Sequence, residues 1–279
     1  MNRALAERPR DRAPDPIVVV DLGGTWVRVV ASAPRRVYRG PTPGVAGLPA
    51  LLARLWRRWK IRPAHLGALG VASRGIWTAG ERRALARRLR RLAPRVVVIS
   101  DVEAAYLAAL GDAPGVLVLA GTGSIALGRD RRGRFTRAGG LGPLIGDDGS
   151  AFAIGRAWLR VAAVPPARLR RIVTAPDAVA RVAGHARAVL RRARRGDRAA
   201  RAVVREAQAA LADLVERAAP RGGRGRALPV SWAGGLLDDA WLRAGVWRQV
   251  RRRGLAIRPT PPAATAATPA AWAALLRAR

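Results

Sequence analysis

Short apolar runs and helical apolar stripes alternate along this chain. Ile17 to Val20 and Trp26 to Ala31 are compact enough for buried strands, and with Val37-Tyr38 they predict a three-strand meander. From Gly44 to Trp59 the positions Leu48, Leu51, Leu52, Leu55, Trp56 and Trp59 share one face of a predicted helix. Leu66 to Val71 predicts a buried strand and Val96 to Ile99 another. Between them Glu81 to Leu92 predicts a helix with Leu85, Leu89 and Leu92 inward and arginines outward. Asp101 to Leu110 predicts a short helix before the breaker cluster Gly111-Asp112-Ala113-Pro114-Gly115.

After the breaker the pattern restarts. Val116 to Ala120, Ser124 to Gly128 and Phe135 to Ala138 predict a second meander, with Arg129 to Gly133 as a polar turn. A Gly-rich loop, Gly139 to Gly149, leads to a helix opening near Ser150. Arg201 to Ala218 predicts a long helix burying Val204, Leu211, Leu214 and Val215, and Leu228 to Ala233 a late strand that ends at Gly234-Gly235 before a further helix. Arg258 to Pro269 reads as a Pro/Ala/Thr-rich linker, and Ala270 to Leu276 as a closing helix. The repeated order predicts two related α/β domains, 16–111 and 112–260, with a cleft between them. Helix 270–279 is assigned to the first domain, and the basic stretch 1–15 is expected to be a disordered tail.

Within the repeat one device occurs twice. Val18 to Val30 and Val116 to Gly128 each read strand, tight Gly/Thr turn, strand. Glycine lets a backbone approach a phosphate closely, successive turn amides make an anion-binding concavity, and a Thr or Ser hydroxyl adds a donor. Two such turns about a hundred residues apart predict a duplicated fold that clamps a polyphosphate, through Gly23, Gly24 and Thr25 on one side and Gly121, Thr122, Gly123 and Ser124 on the other.

Composition changes this picture little. Half of the 279 residues are hydrophobic, enough for a sizeable core, and no apolar run reaches the roughly 20 residues of a membrane span. Met1 to Asp15 lacks the apolar segment of a secretory signal. There is no cysteine, hence no disulfide framework, thiolate metal site or Fe–S ligand, which fits a cytoplasmic protein. The net charge of +34 invites a nucleic-acid partner. Lys60 is the only lysine, however, and Arg and Ala are abundant everywhere, as in a genome-wide compositional habit. The aromatics do not interleave with the basic runs as a single-strand platform requires.

With only 18 acids, their positions carry weight. Asp21 ends the first strand directly before the Gly-Gly-Thr turn. A carboxylate there repels a phosphate unless a hard cation such as Mg²⁺ lies between them, so Asp21 reads as a metal-side carboxylate or as a turn former bonding its own backbone. Asp101 ends the strand after Val96 and reads as a general base or as a helix N-cap. Asp147 and Asp148 read as acceptors for a polyhydroxylated substrate or as a solvated turn capping the next helix. Gly234-Gly235 can support a flat base against the backbone. His65 and His185 lack partners for a metal site or triad and read as structural, and Trp77 reads as packing or as a sugar-lining ring.

These motifs resemble the sugar-kinase/actin/Hsp70 ATPase superfamily, and within it the BadF/BadG/BcrA/BcrD-type ATPases, which include the N-acetylglucosamine kinases. Asp-Leu-Gly-Gly-Thr at 21–25 resembles the first phosphate motif, Ala-Gly-Thr-Gly-Ser at 120–124 the second, and Ser-Asp-Val-Glu-Ala-Ala at 100–105 the segment with the catalytic aspartate. Gly139 to Ser150 resembles the sugar-side loop, and Ala-Gly-Gly at 233–235 the adenosine motif. The resemblance implies two ribonuclease-H-like (actin-like ATPase) domains flanking a nucleotide/sugar cleft. It implies ATP and Mg²⁺ as cofactors, Asp101 as catalytic base, and Gly140, Leu141, Gly142 and Asp147 as substrate-binding residues. It further implies phosphoryl transfer to a hydroxyl of an amino sugar, N-acetylglucosamine first, then glucosamine or a related hexose, in a protein whose relatives are often homodimers.

Two departures fall on the sugar side. No asparagine stands in Tyr38 to Val45, where family hexosamine kinases carry a sugar-binding one, and Arg74-Gly75-Ile76-Trp77 replaces a small Gly/Ala-rich turn. The family's dehydratase-activating branch requires an Fe–S cluster and therefore cysteines, which this chain lacks. An ATPase regulator of the same fold without sugar turnover is the alternative expectation, and a nucleic-acid-binding protein a more distant one.

Overall fold

A computed structural model describes residues 15–24, 26–220, 227–263 and 272. The tail 1–14, Thr25, and the linker end and closing helix apart from Trp272 lie outside the described residues. The chain divides into two compact units inside one helix, the first running to Ala104 and taking in Trp272, the second starting at Ala105.

In the first unit β1 (Ile17–Leu22), β2 (Trp26–Ser32) and β3 (Arg35–Pro41) form the meander. Helix α1 (Gly44–Trp59) crosses to β4 (Ala68–Ser73), α2 (Ala79–Leu89) to β5 (Val96–Ser100), and α3 (Asp101–Leu110) follows. The sheet order is β3-β2-β1-β4-β5, with the β1/β2 and β2/β3 pairs antiparallel and β1, β4 and β5 parallel. Val18, Val19 and Val20 and every residue of β4 are buried, because parallel strands covered on both faces read as continuous apolar runs. Leu48, Leu52 and Leu55 of α1 and Leu85 and Leu89 of α2 fill the same core. The buried Trp272 ring lies over Gly70 of β4.

The second unit repeats this plan. β6 (Gly115–Ala120), β7 (Ser124–Arg129) and β8 (Phe135–Gly139) form the meander, and β9 (Leu228–Ala233) and β10 (Ile257–Pro259) complete the order β8-β7-β6-β9-β10. β6 pairs antiparallel with β7 and parallel with β9, as β1 does with β2 and β4. One difference is large. Where α1 alone links β3 to β4, the link from β8 to β9 contains α4 (Ala151–Val161), α5 (Pro166–Val173), α6 (Ala178–Gly184), α7 (Ala186–Arg194) and α8 (Arg198–Ala218), and α9 (Ala240–Arg252) then leads to β10.

The apolar pattern gave no prediction for α5 to α7. These helices are short, and α5 and α6 bury one residue each, Ile172 and Val182, too few for a period to register. Helix α2 starts two residues before the expected Glu81, because Thr78 and Glu81 close a capping box, and it ends at Leu89 rather than Leu92. The start of the expected linker forms β10, parallel to β9. No helix among the described residues is long and apolar enough to cross a membrane.

Candidate functional site

In the first unit three parallel strands end side by side. Register pairs Leu22 with Ser73 and Ser73 with Ser100, so the residues that leave β1, β4 and β5 emerge along one sheet edge. In open α/β sheets the carboxyl edge is where ligands bind. At that edge Asp21 sits opposite Arg28 on β2, and the Gly23 N–H donates to the Trp26 carbonyl at 3.0 Å to close the hairpin.

Asp101 is the first residue of α3, and the cap is its neighbour. The Ser100 hydroxyl accepts from the Glu103 N–H at 3.2 Å, while the Glu103 carboxylate accepts from the Ser100 N–H at 2.8 Å and from its hydroxyl at 2.9 Å. This reciprocal box satisfies the helix end. It assigns the capping role to Ser100, and the Asp101 carboxylate accepts from the adjacent Val102 N–H at 2.9 Å. Arg82 of α2 bonds Glu103 at 3.0 Å and fixes the box from behind. Burial holds the Asp21 carboxyl above the usual carboxylate range, the Asp101 charge pushes it the same way, and Arg28 opposes both. Among the described residues no three His, Cys, Asp or Glu side chains form a metal cage. Mg²⁺ needs none, since one or two carboxylates and substrate phosphates suffice. A carboxylate pair whose mutual repulsion raises an acid's pKa fits such a cation.

In the second unit the Gly121–Ser124 turn is seated on the start of α4. The Gly121 and Thr122 carbonyls accept from the Ala151 and Phe152 N–H groups at 2.8 and 3.3 Å. Ser150 caps this helix, its hydroxyl accepting from the Ala153 N–H at 3.1 Å, so neither Asp147 nor Asp148 is the cap. Asp147 turns back instead. With φ at 59°, it presents a carboxylate oxygen to the Ser124 N–H at 3.2 Å, and the Ser124 hydroxyl donates to the Asp148 carbonyl at 2.7 Å. A Cβ on Gly123 would fall 2.7 Å from the Asp147 carboxylate, so only glycine admits this approach. The Gly140 N–H donates to the Ser124 carbonyl at 2.9 Å, which ties the loop after β8 to the same turn, while Leu141 and Leu144 stand 60% and 91% exposed. Gly142 has open space around it. The Gly234-Gly235 turn also arrives here, through a 3.1 Å bond from the Leu236 N–H to the Ala120 carbonyl.

Each unit therefore gathers its own set of the expected residues. The first holds Asp21, Gly23, Gly24 and Asp101; the second holds Gly121 to Ser124, Gly140, Leu141, Gly142, Asp147, Gly234 and Gly235. The expected Thr25 lies outside the described residues.

A family model described as the BadF/BadG/BcrA/BcrD ATPase family matches residues 17–273. The chain belongs to this ATPase family. An N-acetylmuramic acid/N-acetylglucosamine kinase of Clostridium acetobutylicum is 43% identical over 61 residues, and an N-acetyl-D-glucosamine kinase of Dictyostelium discoideum is 52% identical over 46. These segments cover 22% and 16% of this chain and span only 20% and 14% of the two curated relatives. Among solved structures, a candidate N-acetylglucosamine kinase of Chromobacterium violaceum superposes with a TM-score of 0.69 at 24% identity, over 94% of this chain and 98% of that one. A ROK family glucokinase of Streptomyces griseus, solved with glucose and AMPPNP, superposes with a TM-score of 0.57 at 20% identity, over 95% and 100%. Both are likenesses of fold.

Two residues that order this sheet edge, Glu103 and Arg82, were not predicted from the sequence. Glu103 had a signal, the Ser-x-x-Glu box at 100–103. Arg82, its anchor, had none, because its partner is distant in sequence, and Arg74, noted only as a departure from a small turn, lies against Gly24.

Proposed function

We propose that this ATPase-family chain is an ATP- and magnesium-dependent cytoplasmic sugar kinase whose acceptor is an amino sugar, N-acetylglucosamine first. The observation that carries the reading is the pair Asp21 and Asp101 at one sheet edge, on the strands that flank β4, with the capping of α3 left to Ser100 and Glu103. The kinases matched over short segments support the substrate class.

In this reading Asp101 accepts the proton of the sugar hydroxyl as its oxygen attacks the γ-phosphorus; the bond to the bridging oxygen breaks and ADP leaves. Bound Mg²⁺, held on the Asp21 side, would offset the phosphate charge. The turn glycines of both hairpins, with Thr25, Thr122 and Ser124, are the phosphate contacts. Gly140, Leu141, Gly142 and Asp147 form the sugar side, and Gly234-Gly235 supports the adenosine. The missing asparagine in 38–45 favours a second reading, an ATPase that phosphorylates no sugar.

A coupled ADP-release assay over hexoses, hexosamines and their N-acetylated forms, with mass detection of product, separates the two. A phosphosugar from an N-acetylated hexosamine is expected. Inorganic phosphate without any phosphosugar would replace the first reading with the second.

A further inference from the structure

Arg74 occupies a place that neither the turn motifs nor the acids account for. It is the first residue after β4, the strand between β1 and β5. Its N–H donates to the Leu22 carbonyl at 3.1 Å and its carbonyl accepts the Ser73 hydroxyl at 3.3 Å, which fixes its backbone at the sheet edge. From there the side chain runs over the first phosphate turn. A Cβ on Gly24 would fall 2.6 Å from Nη1, so the guanidinium rests directly against the turn. No ion pair or side-chain hydrogen bond engages that guanidinium among the described residues, although Arg82, Arg129 and Arg253 all find acids.

The geometry points to Arg74 as a catalytic residue that binds the phosphoryl group in transit, the terminal phosphate of the nucleoside triphosphate. This rests on the kinase reading above. The strand order carries the argument: the turn after β1 lies on one side of Arg74 and Asp101 after β5 on the other, so a phosphoryl group passing from the turn toward an acceptor activated by Asp101 passes the guanidinium. A planar fork of donors matches phosphate oxygens, and a cation beside the first turn offsets the negative charge of a phosphoryl group in transit. The exposed side chain is free to reach outward from its resting place.

The test compares the unaltered chain with Arg74→Ala and Arg74→Lys. Dissociation constants for AMP-PNP and ADP, both with Mg²⁺ and without sugar, are measured first. Arg74→Ala is expected to weaken AMP-PNP about tenfold or more and ADP less than about threefold, in keeping with loss of charge-assisted bonds to one phosphate. In turnover, kcat should fall about 100-fold or more with sugar KM within about threefold, and Arg74→Lys should recover part of the loss. An unchanged AMP-PNP to ADP preference, or a kcat within about threefold of wild type, overturns the assignment. The binding arm uses no sugar, so it decides the role of Arg74 even if no sugar is phosphorylated; sugar phosphorylation that survives Arg74→Ala intact removes Arg74 and leaves the kinase reading standing. If Arg74→Ala does not fold, Arg74→Gln, which keeps most of the stem and removes the charge, should give the same selective loss of AMP-PNP binding.

Discussion

The hairpins β1–β2 and β6–β7 hold the same place in the same sheet order, and side chains of opposite charge lean on their turns. Over Gly24 lies the Arg74 guanidinium, exposed and free of ion pairs among the described residues. Against Gly123 lies the Asp147 carboxylate, engaged with the Ser124 N–H and set in a loop bonded to the turn through Gly140 and Asp148. Duplication thus repeated a backbone and not its electrostatics. What reaches each turn is set by the segment after a neighbouring strand, β4 in the first unit and β8 in the second. The first turn carries a cationic side chain. The second carries an anionic one, and its Gly121 and Thr122 carbonyls are taken up by α4.

The largest effect expected from breaking this comparison is on chemistry. Asp101→Asn should lower kcat by about 100- to 10,000-fold, the range for loss of a general base, with little change in ATP affinity. Asp147→Asn should instead act mainly through the sugar KM. Steady-state kinetics of the two variants decide the matter, and Asp101→Asn turning over at the wild-type rate would remove the base assignment.

Glycine substitution sharpens the contrast in stability. Gly123→Ala drives a methyl into a carboxylate held by its loop and should cost about 1–3 kcal/mol, through loss of the Asp147 bond and local strain. Gly24→Ala meets only the end of a flexible arginine, so its cost should stay below about 1 kcal/mol while triphosphate binding suffers. Urea unfolding of both variants reads the difference. Equal midpoint shifts would mean that the Asp147 contact is no firmer than that of Arg74.

The smallest effect concerns Asp21. Its folded-state pKa is raised, chiefly by burial, so the ionised carboxylate destabilises the fold above that pKa. The penalty shrinks as pH falls through the folded value and vanishes below the unfolded one. Asp21→Asn should therefore raise Tm slightly at neutral pH, lose that advantage toward about pH 4, and lower activity at every pH. A neutral-pH Tm below that of wild type would contradict the burial argument.

Much of the plan is local and could be read in one dimension. Both meanders, the strand before each turn, and Asp21 and Asp101 at strand ends follow from apolar runs of four to six residues bounded by glycine or acid. The Ser100–Glu103 box was equally legible, three residues apart, although it was overlooked. The short helices α5 and α6 were not, since a single buried residue leaves no period to detect.

By itself the sequence determined that a strand–turn–strand device occurs twice and which acids stand next to it, because backbone conformation and apolar period are properties of neighbours along the chain. Only the tertiary structure decided that a guanidinium covers one turn and a carboxylate the other. Arg74 lies 50 residues from Gly24 and Asp147 lies 24 from Gly123, and no local rule fixes which side chain a returning strand delivers.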